Sequence, residues 1–493
     1  MAATVRAWHP VIDDLRRAVG DANILSDPDE LMVYECDGFP VAKGLPIAVV
    51  FPTTTQQVSR CLQALSKHDV QVVARGSGTG LAGGCVAFGD GVLIATSRMT
   101  TIETIDLDNR LAVVQAGVRN TALSDAVAAR CRAAGLAGAL HFSPDPSSQR
   151  ASTVGGNAAT NAGGISTLKH GVTSNHILGI EMVLPDGTIL QTRADSLYDG
   201  IGADLPGLIC GSEGTLGIIT RLWCRLVPKP AHFRTVYGVF ASTADACQTV
   251  SDTIASGLMP ASMEIMDGAM VRVVEDAFHY GFPTDAQALL LMEVDGVAEV
   301  LDAELETLVQ LCRKNRASDV KFCSDPKRRA ELWSARKKAF GAIGRISRSY
   351  CTQDACIPRS LLAQAVVDIG QIGARHGLKI TSVFHAGDGN VHPILLFDEE
   401  KPAQVQCVLR ASTEILEYCI SIGGTITGEH GVGVEKLHLM NRLFGDDTID
   451  AFTAIKAAFD PQHRCNEGKL IPSDRVRIEL LRPTTLNSPG GAS

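Results

Sequence analysis

Two glycine-dense stretches constrain this chain more than any other feature. "RGSGTG", residues 75–80, follows the apolar run "VQVVA"; "TVGGNAATNAGG" occupies 153–164. Glycines at alternate positions permit positive φ and let backbone N–H groups converge on an anion. Tight turns alone would account for one such loop. Two of them, with Asn157 and Asn161 beside glycine pairs and "PDPSS" at 144–148, favour a large, extended, phosphate-bearing cofactor. The fold must then bring distant loops onto one cleft.

"GTGLAG", Gly78 to Gly83, also matches G-x-G-x-x-G, and Glu103 lies 20 residues beyond it. The dinucleotide fingerprint requires the loop to open a helix. Here it runs into "GCVAFGDGVLIATS", which is poor in helix formers and strand-like at its end. Nicotinamide binding is therefore disfavoured.

From Pro46 the pattern reads strand ("IAVVF"), helix capped within Thr53–Thr55, and strand ("VQVVA") ending at Arg75. "LVPKPA", 226–231, is the best boundary, and residues 232–415 mix helices and strands as an α+β domain. One helix starts at Pro326, after Ser324 and Asp325. "IKAAFDPQHRCNEGKLIP" is too short to fold alone and must dock on an earlier part. The tail "LNSPGGAS" reads as disordered.

Composition narrows the function. A net charge of −9 gives nucleic-acid binding no electrostatic support. No apolar run approaches the roughly 20 residues of a membrane helix, and "MAATVRAWHPVIDDLRRAVG" has no signal core. The 14 cysteines are scattered without a C-x-x-C pair, so reduced thiols and no iron–sulfur cluster are expected. The expectation is a cytoplasmic chain that reaches the inner membrane only peripherally, through partner subunits.

"FHAGDGNVHP", 384–393, has the look of a metal site. With Asp388-Gly389 as a two-residue turn, Gly387 opposes Asn390, Ala386 opposes Val391, and His385 opposes His392. Both imidazoles then share one face. "TGEHG" supplies Glu429 and His430 between glycines that free the backbone. Two histidines and a carboxylate with open positions are a catalytic type of metal set. The alternative is a structural histidine pair on a partly exposed sheet; Glu429 tips the reading toward metal.

With these motifs in order, joined by "GSEGTLG" and "GRISRSY", the chain resembles the FAD-linked 2-hydroxy-acid dehydrogenases of the vanillyl-alcohol-oxidase/PCMH flavoprotein superfamily, from about residue 20 to 475. The resemblance implies an α+β fold: a PCMH-type FAD-binding domain over 1–229, and a substrate (cap) domain with an antiparallel sheet and the metal hairpin over 230–415. A C-terminal segment over 416–475 would complete the active site, leaving a tail over 476–493. Carried over, Arg75, Gly76, Ser77, Gly78, Thr79 and Gly80 hold the FAD pyrophosphate. Pro144, Ser148, Gly155, Gly156, Asn157, Asn161, Gly163, Gly164 and Gly171 surround the rest, completed by Glu213, Gly214, Ile219 and Asn466. His385, His392 and Glu429 would bind a divalent metal, zinc or manganese. His430 would be the base, titrating near neutrality, and Arg336 and Lys337 would meet the substrate carboxylate.

The implied activity is oxidation of glycolate, and of D-lactate, to the 2-oxo acid, with hydride transfer to FAD. D-lactate or D-2-hydroxyglutarate dehydrogenase is the alternative within the family, and a flavin-binding subunit without chemistry the alternative outside it. "RGSGTGLAGG" lacks the histidine that attaches FAD covalently in some members, so FAD is expected to be non-covalent. "NEGK", 466–469, stands where "NPGK" is usual, which loosens the turn at Asn466. Ile394, two residues after His392, suggests a small or apolar substrate tail. Electrons would leave to a second flavin subunit and an iron–sulfur subunit, or to a quinone pool.

Overall fold

The computed structural model describes residues 8–87, 90–136, 138–193 and 202–473. The tail 476–493 lies outside them. A four-stranded sheet has the order Ile24–Leu25, Ala48–Val50, Gly91–Ala95, Gln71–Arg75. The last three strands run parallel. Helix Thr55–Lys67 joins two of them. Thr54 Oγ1 caps it by accepting from Gln57 N at 3.2 Å, and Val58, Cys61, Leu62 and Leu65 form its buried face. Residues 76–84 form turns, and the next regular element is a strand rather than a helix. That bears out the reading that "GTGLAG" does not open a dinucleotide helix.

Beside it stands a five-stranded antiparallel sheet in the order Ile102–Asp106, Leu111–Gln115, Ile218–Arg225, Ile177–Val183, Ile189–Gln191. The third sheet is larger. Its path runs Ala317–Cys323, His232–Phe240, Ala288–Gly296, Ser262–Asp267, Lys379–His385, Asn390–Val391, Ala355–Cys356. Pro393–Phe397 pairs with both Lys379–His385 and Ser349–Thr352.

Strand alternation gives this sheet two apolar faces. Val236, Phe240, Ile265 and Phe384 pack against helices Thr243–Ala255, Ala298–Lys314 and Leu362–Arg375. Tyr237, Val239, Met266, Val383 and Ile394 pack against helices Gly268–Phe278 and Pro326–Ile343. The second helix starts as its sequence requires: Pro326 is its first residue, and Asp325 Oδ2 accepts from Arg328 N at 2.7 Å.

The C-terminal segment docks on the first sheet. Cys465 bridges to Val72 in parallel, Val72 N donates to Arg464 O at 2.8 Å, and Asn466 N donates to Val72 O at 2.8 Å. All 14 cysteines are free, so burial and hydrogen bonds hold the fold without cross-links.

Candidate functional site

A cleft of about 430 Å³ brings the glycine loops together. Arg75, Gly76, Ser77, Gly78, Thr79 and Gly80 line it from one side, and Ser148, Gly155, Gly156 and Asn157 from the other. Glu213, Gly214 and Ile219 form the floor between, and Lys337, Phe340, Tyr350, Glu429 and His430 close one end. The walls touch: a Cβ at Gly76 would stand 2.7 Å from Thr153 Oγ1, so only glycine keeps the cleft open there.

The remaining glycine-wall residues stand behind the lining. Asn161, at φ 52°, ends the helix Val154–Thr160, and its Oδ1 accepts from Ser174 N. A Cβ on Gly163 would meet Glu429 Oε2 at 3.0 Å, and one on Gly164 the Asp145 carbonyl at 2.7 Å. Gly171 turns at φ 79° against Asn175, and Pro144 O accepts from Asn120 Nδ2. Asn466 is also behind the lining. At φ 50° it donates through Nδ2 to Glu213 O at 2.6 Å and Gly84 O at 2.9 Å. Glu467, which stands where the proline is usual, is buried with Oε2 3.5 Å from Lys456 Nζ.

The histidine hairpin differs from the expected register. His385 pairs with Asn390, and Ser382 with Pro393. The turn is therefore Ala386–Gly389, closed by Gly389 N to Ala386 O and by Asn390 N to Asp388 Oδ1. The shift is two residues, the period of a strand, so His385 and His392 still share a face. Their rings meet edge to face, with centroids 5.3 Å apart.

Both rings point the same nitrogen at one oxygen. His385 Nδ1 lies 2.7 Å from Glu264 Oε1, and His392 Nδ1 3.3 Å from Gln353 O. With those hydrogens donated, each Nε2 faces Glu429 Oε1, at 3.2 Å in both cases, and would turn its lone pair to a cation held there. Three electron-pair donors within 4.8 Å of one another fit a cation. The electrostatics agree. Burial disfavours a charged His385, yet Glu264 and Glu429 outweigh it and raise its pKa well above the usual value. Burial likewise opposes an ionised Glu429, yet His385 and His392 hold its pKa well below the carboxylate range. The spot favours positive charge between two carboxylates.

His430 stacks on His392, with centroids 4.8 Å apart and planes at 5°. Its Nδ1 is buried, without a hydrogen-bond partner, 4.0 Å from Asp354 Oδ2; its Nε2 is 3.8 Å from Glu429 Oε1. Burial pushes its pKa down to about 4, which replaces the expected titration near neutrality. The ring is neutral at pH 7.

Two carboxylates hold the loop carrying Glu429 and His430, and sequence reasoning missed the first, Asp354. Asp354, fully buried, accepts from Thr427 Oγ1 at 2.7 Å, Gly428 N at 3.0 Å, Glu429 N at 3.1 Å and His430 N at 2.8 Å. It also accepts from Asn390 Nδ2 of the hairpin at 2.8 Å. Burial would raise its pKa, but His430, Lys436 and His392 hold it well below the usual range. Its oxygens are thus committed to the loop, although Asp354 also clusters with His392 and His430. From the cofactor side, Glu213 accepts from Val432 N and Gly433 N, both at 2.7 Å. Glu213 also lines the cleft; its grip on this loop has no local signal in the sequence.

Arg336 and Lys337 diverge. Lys337 lines the cleft, 3.8 Å from Asp145 Oδ2. Arg336 is fully buried behind it and donates through Nε to Glu264 Oε2 at 2.6 Å, while Nη1 and Nη2 have no partner. Ile394 does not line the cleft but packs in the core beneath helix Pro326–Ile343. The apolar surface near Glu429 comes from Phe340 and Tyr350 instead.

Solved structures place the architecture. p-Cresol methylhydroxylase, 18% identical, superposes with a TM-score of 0.77 over 95% of this chain and 97% of that one. The 4-ethylphenol oxidase of Gulosibacter chungangensis, 19% identical, gives 0.77 over 97% and 99%. The fold is thus the VAO/PCMH flavoprotein fold. Residues 46–193 match the FAD binding domain family, and 229–470 the family of FAD linked oxidases, C-terminal domain. Glycolate oxidase subunit GlcD of Escherichia coli K12 is 41% identical over 94% of this chain and 91% of its own length. The Bacillus subtilis subunit GlcD is 38% identical over 96% and 99%. A D-lactate dehydrogenase of Archaeoglobus fulgidus is 32% identical over 86% and 91%. This chain belongs to the FAD-linked oxidase family that includes those proteins. Among the described residues, no helix is long and apolar enough to cross a membrane.

Proposed function

We propose that this protein oxidises glycolate, and also D-lactate, to the 2-oxo acid. The observation that carries the reading is the convergence of Glu429 and His430 on one end of the glycine-walled cleft. The relatives called glycolate oxidase subunit GlcD and D-lactate dehydrogenase support the substrate class. Residues 1–229 would hold FAD, 230–415 would carry the hairpin and the substrate wall, and 416–475 would close the site.

FAD, when bound, would supply a hydride acceptor, and a zinc or manganese ion, which His385, His392 and Glu429 would hold, would supply a Lewis acid. The protein does the rest. His430, neutral because burial lowers its pKa to about 4, takes the hydroxyl proton. Arg336 keeps two terminal nitrogens without a protein partner but is fully buried outside the cleft lining, so its positive charge would act on the substrate carboxylate from behind Lys337. Lys337 adds a second positive charge at the cleft wall. Phe340 and Tyr350 line the same end of the cleft and would face the substrate tail. FAD is held without a covalent bond, and electrons pass to a partner subunit or a quinone.

The test is anaerobic flavin bleaching with glycolate, D-lactate, L-lactate and D-2-hydroxyglutarate. Glycolate and D-lactate are expected to bleach the flavin fastest. Preferential bleaching by D-2-hydroxyglutarate would move the protein to that branch, and no bleaching by any of them would leave a flavin carrier.

A further inference from the structure

We infer that Glu264 is a positioning residue that acts through His385, fixing the tautomer and direction of a cation ligand from the far side of the ring. The inference rests on the cation reading above. Glu264 lies on strand Ser262–Asp267, directly opposite His385 in the sheet register. Directly opposed residues project from the same face, so the two side chains meet without any loop to adjust them.

Each carboxylate oxygen has one task. Oε1 accepts from His385 Nδ1 at 2.7 Å and Oε2 from Arg336 Nε at 2.6 Å. The three side chains are 1%, 4% and 0% exposed for Glu264, His385 and Arg336. Water cannot substitute for either bond. Donation from Nδ1 leaves the lone pair on Nε2, the nitrogen that faces Glu429 Oε1 at 3.2 Å. A ligating histidine held in this way is oriented and made more basic, and loss of such a carboxylate typically costs 10–100-fold in metal affinity.

Arg336 makes this arrangement possible in a dry core. A lone ionised carboxylate there would carry a large desolvation cost. The guanidinium offsets the charge through Nε while keeping Nη1 and Nη2 free of protein partners. Glu264 therefore also anchors Arg336, through its Nε.

The experiment compares wild type with Glu264→Gln, both purified with FAD and stripped of metal. Zinc and manganese are titrated separately, and the ion that the wild type binds is the probe. A glutamine keeps the volume but sets an amide where the two oxygens accepted from His385 and Arg336. The expected result is full FAD content with metal affinity lowered 10–100-fold and a raised KM for glycolate. Equal metal affinity in both proteins overturns the assignment to Glu264 while leaving the cation reading intact. A wild type that binds neither ion overturns both. If Glu264→Gln does not retain FAD, Glu264→Asp decides. It keeps the charge beside Arg336 but withdraws the acceptor from Nδ1 by one methylene. A tenfold or greater loss of metal affinity then supports the role, and an unchanged affinity overturns it.

Discussion

The Asp354 carboxylate accepts the backbone N–H of His430 at 2.8 Å, and the same side chain holds Asn390 of the histidine hairpin. One buried group thus sets both halves of the candidate site relative to each other. Removing its charge takes away the nearer counter-ion of the fully buried Lys436 Nζ, 3.5 Å away, and leaves only Glu435 Oε2 at 4.0 Å. Asp354→Asn is expected to destabilise the protein by about 3–5 kcal/mol, the usual cost of breaking a buried pair. Thermal melts of the two purified proteins measure it; a variant that melts with the wild type contradicts the role.

Metal and base separate by mutation. His385→Ala should lose bound metal and activity together while keeping FAD, because the glycine walls do not include it. His430→Ala should keep metal and FAD and lose activity by roughly 10²–10⁴-fold, the usual worth of a positioned base. Metal analysis of both variants is the check. Metal lost from His430→Ala and kept in His385→Ala reverses the roles.

The pH profile follows from burial. His430 works as a base only when neutral, and its pKa is lowered to about 4. Its rate contribution should be complete above about pH 5 and fall as pH drops through about 4. The profile of kcat/KM between pH 4 and 8 measures this. An acid limb centred near 6.5, the ordinary histidine value, would show the ring more solvated than its 10% side-chain exposure allows.

FAD should leave on denaturation. The loop from Arg75 to Gly84 contains no histidine, and among the described residues the cleft lining includes one, His430. Acid precipitation is expected to release the yellow colour to the supernatant. Colour kept in the pellet points to a covalent link.

Electrons should not go directly to oxygen. The isolated chain is expected to turn over faster with a dye acceptor than with oxygen, since its cysteines offer no paired motif for a cluster. Peroxide formed as fast as dye is reduced would make a partner unnecessary.

The sequence by itself determined what short range controls. Thr54 and Asp325 cap helices because side chains reach N–H groups two or three residues on. The glycine loops had to be turns, and "GTGLAG" could not open a helix it lacked the residues to build. His385 and His392 shared a face in the wrong register because strand period is two, and a two-residue shift preserves the face. Tertiary structure decided the rest. Glu264 meets His385 across 121 residues, Asp354 holds His430 across 76, and Glu213 holds Val432 across 219. No local pattern marks Glu264 or Asp354, nor the loop that Glu213 holds, since a buried acid looks like an exposed one until its partners arrive. The pKa of His430 was equally out of reach: desolvation sets it, and desolvation depends on what the folded chain packs around the ring.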